Sequence, residues 1–158
     1  MNRTMLTIMS VLALIGAAAV LALWLRASHS NAVFIPISDR AQIERGRDIY
    51  LAQCAACHGV KGEGQPDWRQ RLPNGRLPAP PHDETGHTWH HPDGVLFDIV
   101  KHGLVPGRTA PQGYESDMPA YGMILSDADI VAVLAYIKST WSKEVRALQA
   151  EVTRTQAH

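Results

Sequence analysis

The most restrictive feature of this chain is the run Cys54-Ala55-Ala56-Cys57-His58. It has the form Cys-x-x-Cys-His, the attachment signature of a c-type haem. Two thiols three positions apart lie on one side of a helical turn, where they can add to the two vinyl groups of one porphyrin. The adjacent His58 then supplies a neutral imidazole as an axial ligand of the iron. The run therefore predicts one covalent haem c, held by Cys54 and Cys57.

Three other interpretations of the two cysteines are weaker. A Cys-rich zinc site needs further cysteines, and the chain has only these two. A thioredoxin-like redox pair lies within a βαβ pattern, which does not surround this run. A disulfide that closes so short a loop gains little and leaves His58 unexplained. Because the two thiols must be handled outside the reducing cytosol, the motif also implies an exported domain.

An almost uninterrupted apolar stretch, residues 5–25, precedes the motif. As a helix it would span about 31 Å, close to the hydrocarbon thickness of a bilayer. A cleaved signal peptide is the alternative, with small residues at 17–19 or 30–32 as candidate cleavage sites. We expect an uncleaved single-pass anchor in the cytoplasmic membrane, with residues 1–4 in the cytoplasm and the haem domain on the periplasmic side.

Helical patterns and no strand pattern follow a short linker at residues 26–38, so we predict an all-α fold. Asp39 opens a helix that leads into the motif, and Gln42 completes a plausible capping box. A second helix ends at Gly103. Ser126 caps the last helix, whose apolar stripe continues without Gly or Pro. The stripe consists of Ile130, Leu134, Ile137, Trp141, Val145, Leu148 and Val152.

A six-coordinate haem needs a second axial ligand opposite His58. Three of the five methionines lie in or before the apolar stretch, which leaves Met118 and Met123. Met118 is held by Pro119 in the loop before the last helix, whereas Met123 is more simply a core or rim residue. We expect Met118 to be the ligand, with a histidine from residues 82–91 as its main rival. Thioether ligation raises the reduction potential, and a second histidine would lower it.

Four histidines crowd into residues 82–91. Such clusters can bind copper or zinc. We expect them instead to be surface loop residues or hydrogen-bond partners of the haem propionates. The four are His82, His87, His90 and His91.

The order of these motifs resembles the bacterial class I cytochromes c over residues 39–141. The matching positions are Gly46-x-x-x-Tyr50, Cys54 to Gly59, Gly62-x-Gly64, Met118 to Tyr121 and Leu134 to Ile137. The resemblance implies an all-α domain around one haem, whose first and last helices cross at Gly46. It also implies a proline carbonyl that holds the axial imidazole, and Pro80 and Pro81 both fit. Residues 142–158 form a helical extension beyond the resemblance.

These features predict a one-electron carrier rather than an enzyme, because both axial positions are filled and no substrate coordinates the iron. Residues 39–141 carry ten Lys and Arg against thirteen Asp and Glu, with no basic stripe for nucleic acid. Respiratory redox proteins are expected to dock transiently on apolar contacts such as Val60, Ala120 and Tyr121. The alternatives are a haem subunit of a larger oxidoreductase complex, a haem enzyme or gas sensor, and a cytochrome with an added copper or zinc loop.

The extension is expected to lie in a partner's groove or back along its own domain. We expect truncation after Ser142 to leave haem ligation and reduction potential unchanged and to weaken association with the redox partner or membrane complex. The alternative is a frayed helical tail that packs weakly and binds nothing.

Overall fold

Residues 34–156 contain five α-helices and one 3₁₀ turn, which are joined by loops. The computed structural model describes residues 12–13, 15–18, 20 and 34–156. Residues 32–156 form one compact unit, and the helical residues before position 21 belong to another. Among the described residues no β-strand occurs beyond one isolated bridge, so the all-α prediction is confirmed. The helices are α1 (Arg40–Gln53), α2 (Ala55–His58), α3 (Asp93–His102), α4 (Asp127–Ser139) and α5 (Lys143–Thr155), with the 3₁₀ turn at Thr88–His90.

Helices α1 and α4 make the closest helix pair of the domain. A side chain at Gly46 would overlap the carbonyl oxygen of Ala132 on α4, so only glycine allows this approach. Tyr50 and Tyr136 pack beside the crossing, with their ring centroids 5.3 Å apart. This contact explains a residue that costs about 1 kcal/mol against alanine inside a helix. The helix crossing expected at Gly46 is therefore present.

The core is built mainly by α4, which is buried along most of its length. Leu96 of α3 and Tyr50 of α1 close it from two sides, and Ile35 closes it near the start of the domain. Burial of these apolar side chains is the dominant stabilising contribution. The buried residues of α4 and its end are Ile130, Ala132, Val133, Leu134, Ala135, Ile137, Lys138 and Trp141.

The helix ends agree with the sequence at most positions. Ser126 and Asp129 form a complete capping box at the start of α4, and α3 ends at Gly103 with φ 77°. Asp39 caps α1 by accepting hydrogen bonds from the amide groups of Ala41 and Gln42. The Gln42 side chain does not return a bond, since its buried oxygen has no partner among the described residues. The predicted box at α1 is therefore reduced to a single cap.

The expected continuous helix after Ser126 is wrong, because residues 140–142 separate α4 from α5. The Thr140 hydroxyl donates to a carbonyl one turn back, at 2.7 Å, and so competes with the helical hydrogen bonds. The indole nitrogen of Trp141 donates to the carbonyl oxygen of His82 at 2.8 Å. Ser142 then caps α5 with its hydroxyl oxygen. Apolar periodicity continues across this break, which hides it in the sequence.

Helix α5 packs on the domain through a face whose fully buried residues are polar, with Val145 of the predicted stripe partly buried against the core. Gln149 and Thr153 are only 0% and 4% exposed, whereas Leu148 of the predicted stripe is 55% exposed. The side-chain nitrogen Nε2 of Gln149 donates to Asp93 Oδ1 at 2.7 Å and to Thr153 Oγ1 at 3.1 Å. Of the two expected placements, the structure shows the helix lying back on its own domain.

A buried ion pair joins α3 to α4 beneath this helix. Asp93 is 0% exposed, and its two carboxylate oxygens each lie 2.7 Å from Nζ of Lys138. The backbone of Ile35 completes the network, because its N–H donates to Asp93 at 2.8 Å and its carbonyl accepts from Lys138 at 3.0 Å. Burial lowers the pKa of Lys138, and the carboxylate opposes that shift. Residues 34–38 are thus fixed to the domain at Ile35.

The membrane prediction requires a correction. A spanning helix needs about 20 apolar residues. No helix among the described residues, which include 12–13, 15–18 and 20 of the stretch 5–25, is long and apolar enough to cross a membrane. The other residues of that stretch lie outside the described part of the chain. On this finding the predicted single-pass anchor in the cytoplasmic membrane is wrong.

Candidate haem site

The Cys-x-x-Cys-His run begins at Cys54, which directly follows the last residue of α1, and continues through all of α2. The amide groups of Cys57 and His58 both donate to the carbonyl oxygen of Cys54, at 3.1 and 2.9 Å. These bonds wind the run into a single turn, with Cys54 partly buried and Cys57 exposed. Burial raises the pKa of the Cys54 thiol to about 11, and the charge of the nearby Cys57 adds to the shift. The two cysteines therefore lie on one turn.

His58 presents one ring nitrogen for metal binding. Its side chain is 7% exposed, and Nδ1 lies 2.8 Å from the carbonyl oxygen of Pro80. A carbonyl only accepts, so Nδ1 carries the proton and Nε2 keeps its lone pair. Burial lowers the pKa of His58, which keeps the ring neutral and able to coordinate. Of the two prolines that the resemblance allowed, Pro80 makes this bond.

Two glycines allow the Pro80–Pro81 pair to reach His58. A Cβ on Gly64 would lie 2.5 Å from the backbone nitrogen of Pro81, and one on Gly86 would overlap the Pro81 carbonyl. Gly64 also has φ 69°, and its amide donates to the carbonyl oxygen of His58 at 2.8 Å. The resemblance includes Gly64 without giving it a role. In the structure it holds the peptide that orients the candidate iron ligand.

His82 differs from the surface residue that the histidine-rich segment predicts. Its ring stacks on the His58 ring, with centroids 3.9 Å apart and planes inclined by 21°. Its Nδ1 lies 2.9 Å from the hydroxyl oxygen of Thr88. Burial, together with the nearby His58 and His87, lowers the pKa of His82 well below its ordinary value. Sequence reasoning missed this contact because the four histidines differ by no local signal.

The other three histidines pair with aromatic rings. His87 stacks on Trp68 at 5.3 Å between centroids, and His90 stacks on Trp89 at 3.7 Å. His91 lies edge-on to His87 at 5.4 Å. Over the part of the chain that the structure describes, no three side chains of His, Cys, Asp or Glu are grouped to hold a metal ion. The rings therefore contact one another and tryptophan.

Met118 lies half-buried in the loop between α3 and α4. This loop is bound to α3, where the amide of Tyr121 donates to the carbonyl oxygen of Val100 at 3.0 Å. It is also bound to the residue before the haem motif, because the Tyr121 hydroxyl donates to the Gln53 carbonyl at 2.7 Å. Met123, the other candidate, is 98% exposed. The fold thus brings the Met118 loop to the motif and leaves Met123 in solvent.

These side chains fit a covalent c-type haem. Cys54 and Cys57 lie on one turn, and the proton on Nδ1 of His58 leaves Nε2 for iron. The thioether of Met118, in the loop bound to the residue before the motif, would complete a donor set typical of cytochromes c. When bound, haem c supplies an Fe(II)/Fe(III) couple that takes up and releases one electron. The chain contributes the attachment, the orientation of the imidazole and its burial.

Comparison with known proteins agrees with this site. Residues 43–141 match the family described as Cytochrome c. The chain is also similar to the gluconate 2-dehydrogenase cytochrome c subunit of Pantoea cypripedii, with 28% identity over 125 residues. That match covers 73% of this chain and 26% of the relative, so the chain spans about a quarter of the relative's length. This chain therefore belongs to the Cytochrome c family, whose covalent haem c is its cofactor.

Proposed function

We propose that the protein is a one-electron carrier in which Cys54 and Cys57 hold the haem by thioether bonds and His58 and Met118 are its axial ligands. The observation that carries the proposal is the 2.8 Å hydrogen bond from His58 Nδ1 to Pro80, which reserves Nε2 for iron. With a thioether opposite, protein groups take both axial positions and no substrate reaches the metal. The protein's tasks are then to bury the haem, to set its potential and to dock.

The two candidate methionines provide a matched test of the ligand assignment. Met118→Ala removes the proposed ligand, so the reduced protein is expected to bind carbon monoxide and the reduction potential is expected to fall. Met123→Ala removes the same thioether from an exposed position of the same loop and is expected to behave as wild type. Absorption spectra with and without carbon monoxide distinguish the two variants. Wild-type protein that readily binds carbon monoxide at neutral pH would contradict the assignment.

Covalent attachment through Cys54 and Cys57 has its own test. Acid–acetone treatment releases haem that is bound only by ligation, whereas thioether bonds keep it on the polypeptide. We expect the wild-type pigment to stay with the protein. Free extraction of all the haem would refute the two thioether bonds.

We propose a dehydrogenase of small hydroxy acids as the electron donor and a respiratory-chain protein as the acceptor. Support comes from the similarity to a cytochrome c subunit of a gluconate 2-dehydrogenase. The chain would act as a separate carrier or as a haem subunit of the oxidoreductase complex. The full chain, tagged and purified from its host, is expected to bring down a dehydrogenase and to show haem reduction when gluconate is added. A co-purified dehydrogenase that oxidises gluconate without reducing the haem would contradict this donor.

We place the docking surface on apolar residues beside the haem motif. Val60, two positions after His58, is 63% exposed, and Ala120 is exposed next to Tyr121. Val60→Glu is expected to slow electron transfer about 5- to 10-fold, as loss of an interface contact worth about 1 kcal/mol would do. Leu148→Glu on α5, where the side chain is 55% exposed, is the control. Equal slowing by both variants, or an unchanged rate with Val60→Glu, would refute this location.

A further inference from the structure

We propose that His82 is a positioning residue for the axial ligand: its ring holds the plane of the His58 imidazole and so sets the orientation of that ligand at the haem. This inference rests on the proposed function, because it takes His58 to be an axial ligand. It assigns a role to a side chain that belongs neither to the attachment motif nor to the ligand pair.

The first argument is the contact between the two rings. The His58 and His82 imidazoles lie face to face, with centroids 3.9 Å apart and planes inclined by 21°. At this separation the two rings are in van der Waals contact across their faces. Rotation of the His58 ring about its bond to Cβ would drive its edge into His82. One face of the ligand is therefore blocked by a flat neighbour.

The second argument is that the Pro80 hydrogen bond alone leaves a degree of freedom. That bond fixes the position of Nδ1, 2.8 Å from the carbonyl oxygen. Hydrogen bonds to a carbonyl oxygen tolerate a broad range of directions, so the ring can still tilt about the line of the bond. The stacked His82 ring opposes that tilt. An edge constraint from Pro80 and a face constraint from His82 together define one plane.

The third argument is that His82 is itself fixed to three separate segments. Its ring nitrogen Nδ1 lies 2.9 Å from the hydroxyl oxygen of Thr88, a residue only 7% exposed. Its backbone N–H donates to the carbonyl oxygen of Gly62 at 2.7 Å, and its carbonyl accepts from the Trp141 indole at 2.8 Å. The ring therefore does not follow movements of His58. It acts as a fixed support.

A spectroscopic readout separates positioning from simple filling of space. In low-spin ferric haem, the orientations of the two axial ligands set the g-anisotropy of the EPR spectrum and the order of the shifted haem methyl resonances in NMR, so a rotated imidazole plane changes both while the other ligand is kept. Neither quantity reports the overall stability of the protein. Both can be measured on the purified holoprotein without a redox partner.

The test compares three variants of the full-length holoprotein. His82→Leu keeps an apolar side chain but removes the flat ring, and we expect changed g-values and a reordered set of methyl resonances. His82→Phe restores a flat ring against His58 and is expected to return the pattern toward wild type. Thr88→Val keeps the His82 ring and removes its hydroxyl anchor, so an intermediate pattern is expected.

A wild-type pattern in His82→Leu overturns the inference, and so does a His82→Phe pattern that matches His82→Leu. If His82→Leu yields no holoprotein, Thr88→Val decides: a shifted pattern supports positioning and an unchanged one refutes it. Failure of the proposed function is recognised separately in the wild-type spectrum. There the hyperfine-shifted ring protons identify the axial histidine, and a residue other than His58 would overturn the ligand assignment itself.

Discussion

Removing the charge of Asp93 is expected to destabilise the domain more than any single change on its surface. Asp93 is fully buried and accepts hydrogen bonds from Lys138, from the Gln149 side chain and from the backbone of Ile35. In Asp93→Asn an NH₂ group replaces one carboxylate oxygen, so a hydrogen-bond donor faces the N–H donors that the carboxylate had accepted. The Lys138 ammonium, in a side chain that is 6% exposed, is left without its counter-ion.

The magnitude follows from the burial of this pair. Removing one partner of a buried ion pair typically costs about 3–5 kcal/mol, because an uncompensated charge remains in a poorly solvated site. For a domain of this size, that loss lowers the melting temperature by roughly 10–20 °C. Asp93→Leu combined with Lys138→Met removes both charges, and it is expected to cost less than the sum of the two single changes.

Urea unfolding of the holoprotein, monitored by far-UV circular dichroism, gives the free energy of unfolding of each variant. Glu44→Gln is the matched control, since it also removes a carboxylate from an ion pair, but one whose side chains are 92% and 65% exposed. That pair is worth at most about 0.5 kcal/mol. Asp93→Asn within 1 kcal/mol of this control, or strict additivity in the double variant, would refute the reasoning.

Three further predictions use other features of the domain. Gly46→Ala is expected to force α1 and α4 apart and to lower the free energy of unfolding by about 1–3 kcal/mol or more. Gly94→Ala is the control, because a Cβ there meets open space, and it is expected to be neutral or stabilising. Thermal melts in which Gly46→Ala is not the less stable variant would contradict the close helix crossing. Truncation after Ser142 removes Gln149 from Asp93, so it is expected to lower the urea midpoint, and an unchanged midpoint would show that α5 is dispensable for folding. Burial and two neighbouring histidines lower the pKa of His91 below 6.5, so the folded state binds fewer protons than the unfolded state and stability falls as the pH drops through and below 6.5. His91→Gln is expected to make the melting temperature depend less on pH in this range. An unaltered slope would contradict this reasoning.

Features with a local cause could be predicted from the sequence. The attachment motif and the Ser126 cap are defined by residues a few positions apart, and Gly103 stops α3 in the same local way. The helix crossing at Gly46 could be predicted because the resemblance supplies the partner helix, which a glycine in the sequence does not reveal by itself. The single hydrogen bond between His58 and Pro80 needed the fold, since two adjacent prolines are equivalent in the sequence.

Features that depend on polar contacts over long separations could not be predicted. The apolar periodicity of the last helix pointed to Leu148, but the packed face carries Gln149, whose partner Asp93 lies 56 positions away. A helical stripe of apolar residues gives no sign that a polar face is the buried one. The break at residues 140–142 was hidden for a similar reason, because Trp141 fits the stripe and its anchor, His82, lies 59 positions earlier.

The glycines that admit the Pro80–Pro81 pair have a consequence for the speed of electron exchange. The rate of such exchange depends on how far nuclei must rearrange when the charge on the metal changes. Gly64 and Gly86 lie directly against the pair, since a methyl group at Gly64 would clash with the peptide between Pro80 and Pro81, and one at Gly86 would overlap the Pro81 carbonyl. Close packing of this pair limits movement of the Pro80 carbonyl and of the imidazole bonded to it, and an axial ligand held in this way would keep the reorganisation energy of each transfer small.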